Sequence, residues 1–129
     1  MMEIKSYTFT IDGRLPTMNE IIASAKKGRG NYQPYSEMKR EYTELIAWTV
    51  ISAKVPVFNS PRLVITWYEK NKKRDMDNIV AGKKFILDGL VTAGIIKDDS
   101  RKYINSIHDI IKDDSKNPRI EVTLTEEEE

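Results

Sequence analysis

Asp75 and Asp77 stand two residues apart in the stretch Arg74-Asp75-Met76-Asp77-Asn78, and a second acid pair, Asp98-Asp99, follows downstream. Alternate positions of an extended chain point the same way, so Asp75 and Asp77 can offer two carboxylates to one side, as hard divalent cations such as Mg2+ require. Bases flank both pairs: Lys72, Lys73 and Arg74 precede the first, and Lys97, Arg101 and Lys102 surround the second. Acids inside a cationic rim suit phosphodiester chemistry, in which the rim binds a polyanion and a metal activates water. Each pair also has a plain structural reading. Aspartate caps helix starts and suits the macrodipole there, and Asp98-Asp99-Ser100 is ordinary turn chemistry.

Other chemistries lack their parts. With no cysteine and a single histidine, His108, the chain cannot build a disulfide, a thiolate zinc site, an iron–sulfur cluster, a cysteine nucleophile or a multi-histidine metal site. Counting a calcium loop from Asp75 puts Ile79 and Ile86 where oxygen ligands belong, and counting from Asp98 puts Tyr103 where glycine belongs. The chain also has no glycine-rich phosphate loop, nucleophile elbow or His-Glu-x-x-His, so no nucleotide cofactor is expected. Metal-dependent phosphoryl chemistry and plain binding are what is left.

The elements that must position these residues can be read from periodicity. Lys5 to Ile11 alternates as a first strand and ends on Asp12-Gly13. Arg14 to Pro34 reads as a long loop with one helical turn at Asn19 to Ser24, carrying Lys26, Lys27 and Arg29 among glycines. Ser36 suits an N-cap for a helix running to about Lys54, with Trp48 on its core side. A second strand covers Arg62 to Glu69, with Leu63, Ile65 and Trp67 on one face. A second helix begins just after the aspartates and runs to Gly94. A third strand is expected at Tyr103 to Ile111, and a fourth with Ile120, Val122 and Leu124 inward. The reading is an α+β fold: a four-stranded mixed sheet with two helices packed on one face, in the order β-α-β-α-β-β.

The 129 residues suit one domain, over residues 1–125, with a solvated acidic tail at 126–129. Formal net charge is +1, but residues 121–129 hold five acids and no base, so the other 120 residues carry 21 bases against 15 acids. A body at +6 suits a polyanionic partner. The chain has neither an apolar run long enough for a bilayer nor a secretory h-region at its start, so the expectation is a cytoplasmic protein without a membrane partner.

Several short stretches, in order, resemble the RusA family of Holliday junction resolvases, which is common in prophages. They are Leu15-Pro16-Thr17-Met18-Asn19, Arg74-Asp75-Met76-Asp77-Asn78, Lys84, Leu87-Asp88-Gly89-Leu90 and Asp98-Asp99. The resemblance implies a homodimeric, Mg2+-dependent endonuclease that binds four-way junction DNA and nicks two strands symmetrically. On the matching positions it implies Asp75, Asp77 and Asp99 as catalytic metal ligands and Lys84 as the catalytic lysine. Between Asn78 and Leu90 the chain is longer than the family pattern by roughly one helical turn, which leaves Lys83 an alternative to Lys84. Gly89 stands where the family usually has alanine. Asp98 and Asn78 are further candidates, Asn78 as a helix cap or a support for a ligand. Lys26, Lys27, Arg29, Lys72, Lys73 and Arg74 are the expected phosphate contacts, and Tyr32 and Tyr35 beside the basic loop are candidates for base stacking.

Two other functions fit part of the pattern. A non-catalytic DNA-binding module of the same fold would use the aspartates only as caps. A metal-dependent transferase could use Asp-x-Asp on a nucleotide sugar, but the chain lacks the length and the glycine-rich turn for a nucleotide-binding domain.

Overall fold

The computed structural model describes residues 3–128. In chain order the elements are β1 (Glu3–Asp12), α1 (Met18–Lys26), α2 (Pro34–Ser52), β2 (Arg62–Glu69), α3 (Met76–Val80), α4 (Lys83–Thr92), β3 (Ser106–Asp113) and β4 (Arg119–Glu128). The sheet order is β1-β4-β2-β3. β4 pairs antiparallel with both β1 and β2, and β2 pairs parallel with β3, so the sheet is mixed and the class is α+β as expected. The parallel pair requires a crossover, which α3 and α4 supply.

β2 has the bounds its alternation predicts. Leu63, Ile65, Trp67 and Glu69 are buried on one face, and their partners in β4 include Ile120, Val122 and Leu124. With Phe9 and Ile11 of β1 these form the sheet side of one core, closed by Ile46 and Val50 of α2 and by Phe85, Ile86 and Leu90 of α4. The opposite face of the β1–β4 ribbon is a hydroxyl ladder, where Thr8 meets Thr123 at 2.8 Å.

Four helical segments stand where two were expected, and each difference has a physical cause. The stretch read as a loop holds α1, started by a capping box: the Thr17 hydroxyl accepts from Glu20 N, and the Glu20 carboxylate accepts from Thr17 N. α2 begins at Pro34 and not at Ser36, because proline at the first turn needs no N–H partner. The expected second helix is split at Ala81-Gly82. A Cβ on Gly82 would lie 2.7 Å from Leu15 Cβ, so backbone there runs directly against the Leu15 side chain. β3 begins at Ser106, later than predicted, because Tyr103 and Ile104 N–H groups are engaged by the Ser100 carbonyl in a turn.

The acidic end is not a free tail over its described part, although Glu127 and Glu128 are exposed. Glu126–Glu128 continue β4 opposite Glu3–Lys5, and the Glu126 carboxylate accepts from Asn59 N and Ser60 N at 2.9 Å; Glu129 lies outside the described residues. Trp48, expected in the core, is 69% exposed and lies with Leu45 and Ile51 on an uncovered strip of α2. Among the described residues no helix is long and apolar enough to cross a membrane.

The capping box of α1 carries a pH dependence. Arg14 Nη1 donates to Glu20 Oε1 at 2.6 Å, and this bond, aided by those from Thr17, outweighs partial burial and brings the Glu20 carboxyl down to about 2. The folded pKa is below the unfolded one, so this stabilisation is present above the ordinary carboxylate range and is lost as pH falls toward 2. Both side chains are more than 40% exposed, so solvent screening holds the contribution to about 1 kcal/mol. In thermal melts from pH 5 to pH 2, wild type is expected to lose more stability than Glu20→Gln. Parallel curves would refute this role for Glu20.

Candidate active site

β2 delivers the chain to the site. Its last residue, Glu69, continues the inward register of Leu63, Ile65 and Trp67 and is 8% exposed, a carboxylate at a core position. The basic loop that follows turns back, and Arg74 Nη1 donates to Glu69 Oε1 at 3.3 Å. Asp75 is then the N-cap residue of α3, in extended conformation, with its carboxylate free of any capping bond. Asp77 lies in the first helical turn, and its Oδ1 accepts from Asn78 N at 3.0 Å. Both aspartates are exposed. They are therefore neighbours across a helix start, not alternate residues of one extended strand as the spacing suggested.

Asn78 does act as a cap, but not for α3. Its Oδ1 accepts from Asn19 N at 3.0 Å, in the first turn of α1, so the Asp75–Asn78 segment is fastened to the start of α1. α1 ends at Lys26, and Lys27 is its C-cap. Arg29 and Tyr32 exchange backbone hydrogen bonds at 2.8 Å, making the basic loop a tight turn, with Gly30 at φ 55. Lys26, Lys27, Arg29 and Tyr32 are exposed, and Tyr35 is half-buried.

The two lysines at the start of α4 are in different surroundings. Lys83 Nζ lies 2.5 Å from Asp109 Oδ2 on β3, and Asp109 Oδ1 accepts from Trp67 Nε1 at 3.0 Å. Asp109 is thus fully engaged between the core and Lys83. Lys84 is 47% exposed, with Asp88 one turn on at 3.9 Å. Of the expected phosphate contacts, Lys72 pairs with Asp113, Arg74 pairs with Glu69, and Lys73 is exposed.

Asp98 and Asp99 lie apart from the first pair. Asp99 lines grooves with Val91 and Thr92 at the end of α4 and with Ser106 and Ile107 at the start of β3, which is paired with Arg62 and Leu63 at the start of β2. Asp75 follows the other end of β2, and an eight-residue strand is about 23 Å long. Among the described residues no three acidic or histidine side chains gather as a metal-binding group. Asp75 and Asp77 fit a hard divalent cation by donor chemistry and exposure, and among the described residues Asp99 is not gathered with them.

Glu69 and Asp109 were missed by sequence reading. Glu69 had a signal, a carboxylate at the inward step of an apolar strand. Asp109 sits opposite Ile65, and that register becomes visible only once β3 is placed beside β2.

The family model described as Endodeoxyribonuclease RusA matches residues 15–125 of the 129, from the end of the β1 turn to the last core positions of β4. By class, then, this is a DNA-cutting nuclease. The chain belongs to the RusA family, and the Asp75–Asn78 segment and α4 lie within the matched region. No curated protein matches it closely.

Proposed function

We propose that the protein is a homodimeric, Mg2+-dependent Holliday junction resolvase that cuts four-way DNA by paired symmetric nicks. The family match across most of the chain carries this reading. Asp75 and Asp77, exposed and without cation partners among the described residues at the start of α3, support it locally. They are the residues proposed to hold the ion, with Asp99 as the third ligand. A divalent ion bound there lowers the pKa of bound water and offsets charge developing on the phosphate.

The chain's own residues bind and orient the strand. Lys73, Arg74, Lys26, Lys27 and Arg29 are proposed to contact phosphates, which sets position without reading bases. Lys84, exposed and only loosely paired, is proposed to lie against the non-bridging oxygens of the scissile phosphate, whereas Lys83 is occupied by Asp109. Asp99 does not gather with Asp75 and Asp77 among the described residues, which supports a second copy as part of the working enzyme. A two-fold dimer also matches a substrate with two equivalent strands.

The test is a synthetic four-way junction and a linear duplex built from the same arms, each incubated with the protein and Mg2+ or EDTA. Paired nicks confined to the junction and dependent on Mg2+ are expected. Tight junction binding with no cut under any divalent metal would leave a non-catalytic DNA-binding module.

A further inference from the structure

Glu69 is a buried carboxylate to which the proposed function assigns neither metal binding nor DNA contact. Its residue exposure is 8%, and it occupies the β2 face otherwise filled by Leu63, Ile65 and Trp67. A charge in that position is costly unless it is paired. Two arginines line the same small cavity, Arg14 and Arg74. Arg14 is taken by Glu20 at 2.6 Å, so Glu69's ion-pair partner is Arg74.

That ion pair uses Arg74 sparingly. Only Nη1 donates to Glu69, and the remaining guanidinium donors have no protein partner among the described residues. The Arg74 side chain is 31% exposed while that of Glu69 is 10% exposed, so the pair has a buried anchor and an open outer edge. A guanidinium held on one side presents its other edge in fixed orientation, the geometry that takes a phosphate by two parallel bonds. Glu69 is itself held, since its carbonyl accepts from Asp114 N at 2.7 Å.

We infer that Glu69 is a positioning residue: it orients Arg74 toward a backbone phosphate of the DNA and, through the peptide that follows, sets the place of Asp75. The inference rests on the proposed junction-cutting function. It also runs against plain electrostatics, because deleting an acid beside a polyanion site should tighten binding.

The experiment compares wild type, Glu69→Gln, Arg74→Ala and the double variant for affinity to a synthetic four-way junction in EDTA, over a range of salt, with melting temperatures alongside. Glu69→Gln is expected to weaken junction binding about 10-fold, against the electrostatic trend, and to lower the salt slope by about one, as Arg74→Ala does. The double variant should be no weaker than Arg74→Ala alone, because both changes remove one contact. Melting temperatures report any general loss of structure, which would not produce that shared slope change. If Glu69→Gln fails to fold, Glu69→Asp keeps the charge, shortens the reach and carries the same expectation. Wild-type binding with Glu69→Gln equal or tighter overturns the inference and leaves the nuclease reading intact. Absence of wild-type junction binding and cutting overturns both.

Discussion

Asp77→Asn is expected to reduce nicking of a four-way junction by at least about 100-fold while leaving junction binding unchanged or tighter. Asparagine has the same shape and retains an oxygen for the Asn78 N–H, so α3 should keep its first turn. What is lost is the negative charge proposed to hold a divalent cation. Gel assays of cutting and binding, run on one preparation, separate the two effects. Activity within a few-fold of wild type would reduce Asp75 and Asp77 to helix-start residues. The separation of Asp99 from this pair adds a sharper form of the test. Asp77→Asn and Asp99→Asn proteins should each be inactive, but mixed so that dimers exchange they should recover single nicks. Mixed dimers in which Asp99 serves the other chain carry one site with both changes and one with neither. A mixture as inactive as its components would place all three aspartates in one chain's site.

Gly89→Ala should destabilise the fold by about 1–3 kcal/mol, although the same change at an exposed helix position typically gains up to about 1 kcal/mol. Gly89 lies where α4 crosses α2. A Cβ there would come within 2.5 Å of Ile46 Cγ2 and 2.6 Å of Ile46 Cβ, and Ile46 is fully buried. Neither contact is with the free end of a flexible chain, so the helices must separate or Ile46 must leave its rotamer. A fall in melting temperature of roughly 5–10 °C by circular dichroism is expected. Ile46→Ala removes the clashing Cγ2 but keeps Cβ, so combined with Gly89→Ala it should lessen the penalty only in part, a coupling that a double-mutant cycle reads directly. A melting temperature that rises with Gly89→Ala would mean the helices have room to adjust.

What could be read from the residues alone was what short-range chemistry decides. The alternation of Arg62 to Glu69 marks β2 because both of its faces are made of strand formers, and Ile120, Val122 and Leu124 are inward for the same reason. Asp75 and Asp77 were legible as a pair because nothing but local spacing is needed to see them. α1 was hidden although its capping box, Thr17 to Glu20, stands in the sequence; the punctuation after it pulled the whole stretch toward loop. The break at Gly82 depends on Leu15, and the exposure of Trp48 depends on which face of α2 the sheet and α4 occupy; neither is encoded within its own segment. At the site, the bonds from Arg74 to Glu69 and from Asn19 to Asn78 are tertiary, made only when β2 ends beside the incoming loop and α1 is laid against α3. The distance between Asp99 and the first pair follows from strand register in the same way.

The bond from Asn19 to Asn78 makes α1 a ruler. One end of the helix is fixed to the acidic turn at Asn19 and the other carries Lys26 and Lys27, so the helix sets a span of about 10–12 Å between them. Measured along a duplex axis at about 3.4 Å of rise per base pair, that is roughly three base pairs. On the proposed function, insertions or deletions in α1 would therefore alter how far from the scissile bond the backbone is gripped, while leaving the acidic turn as it is.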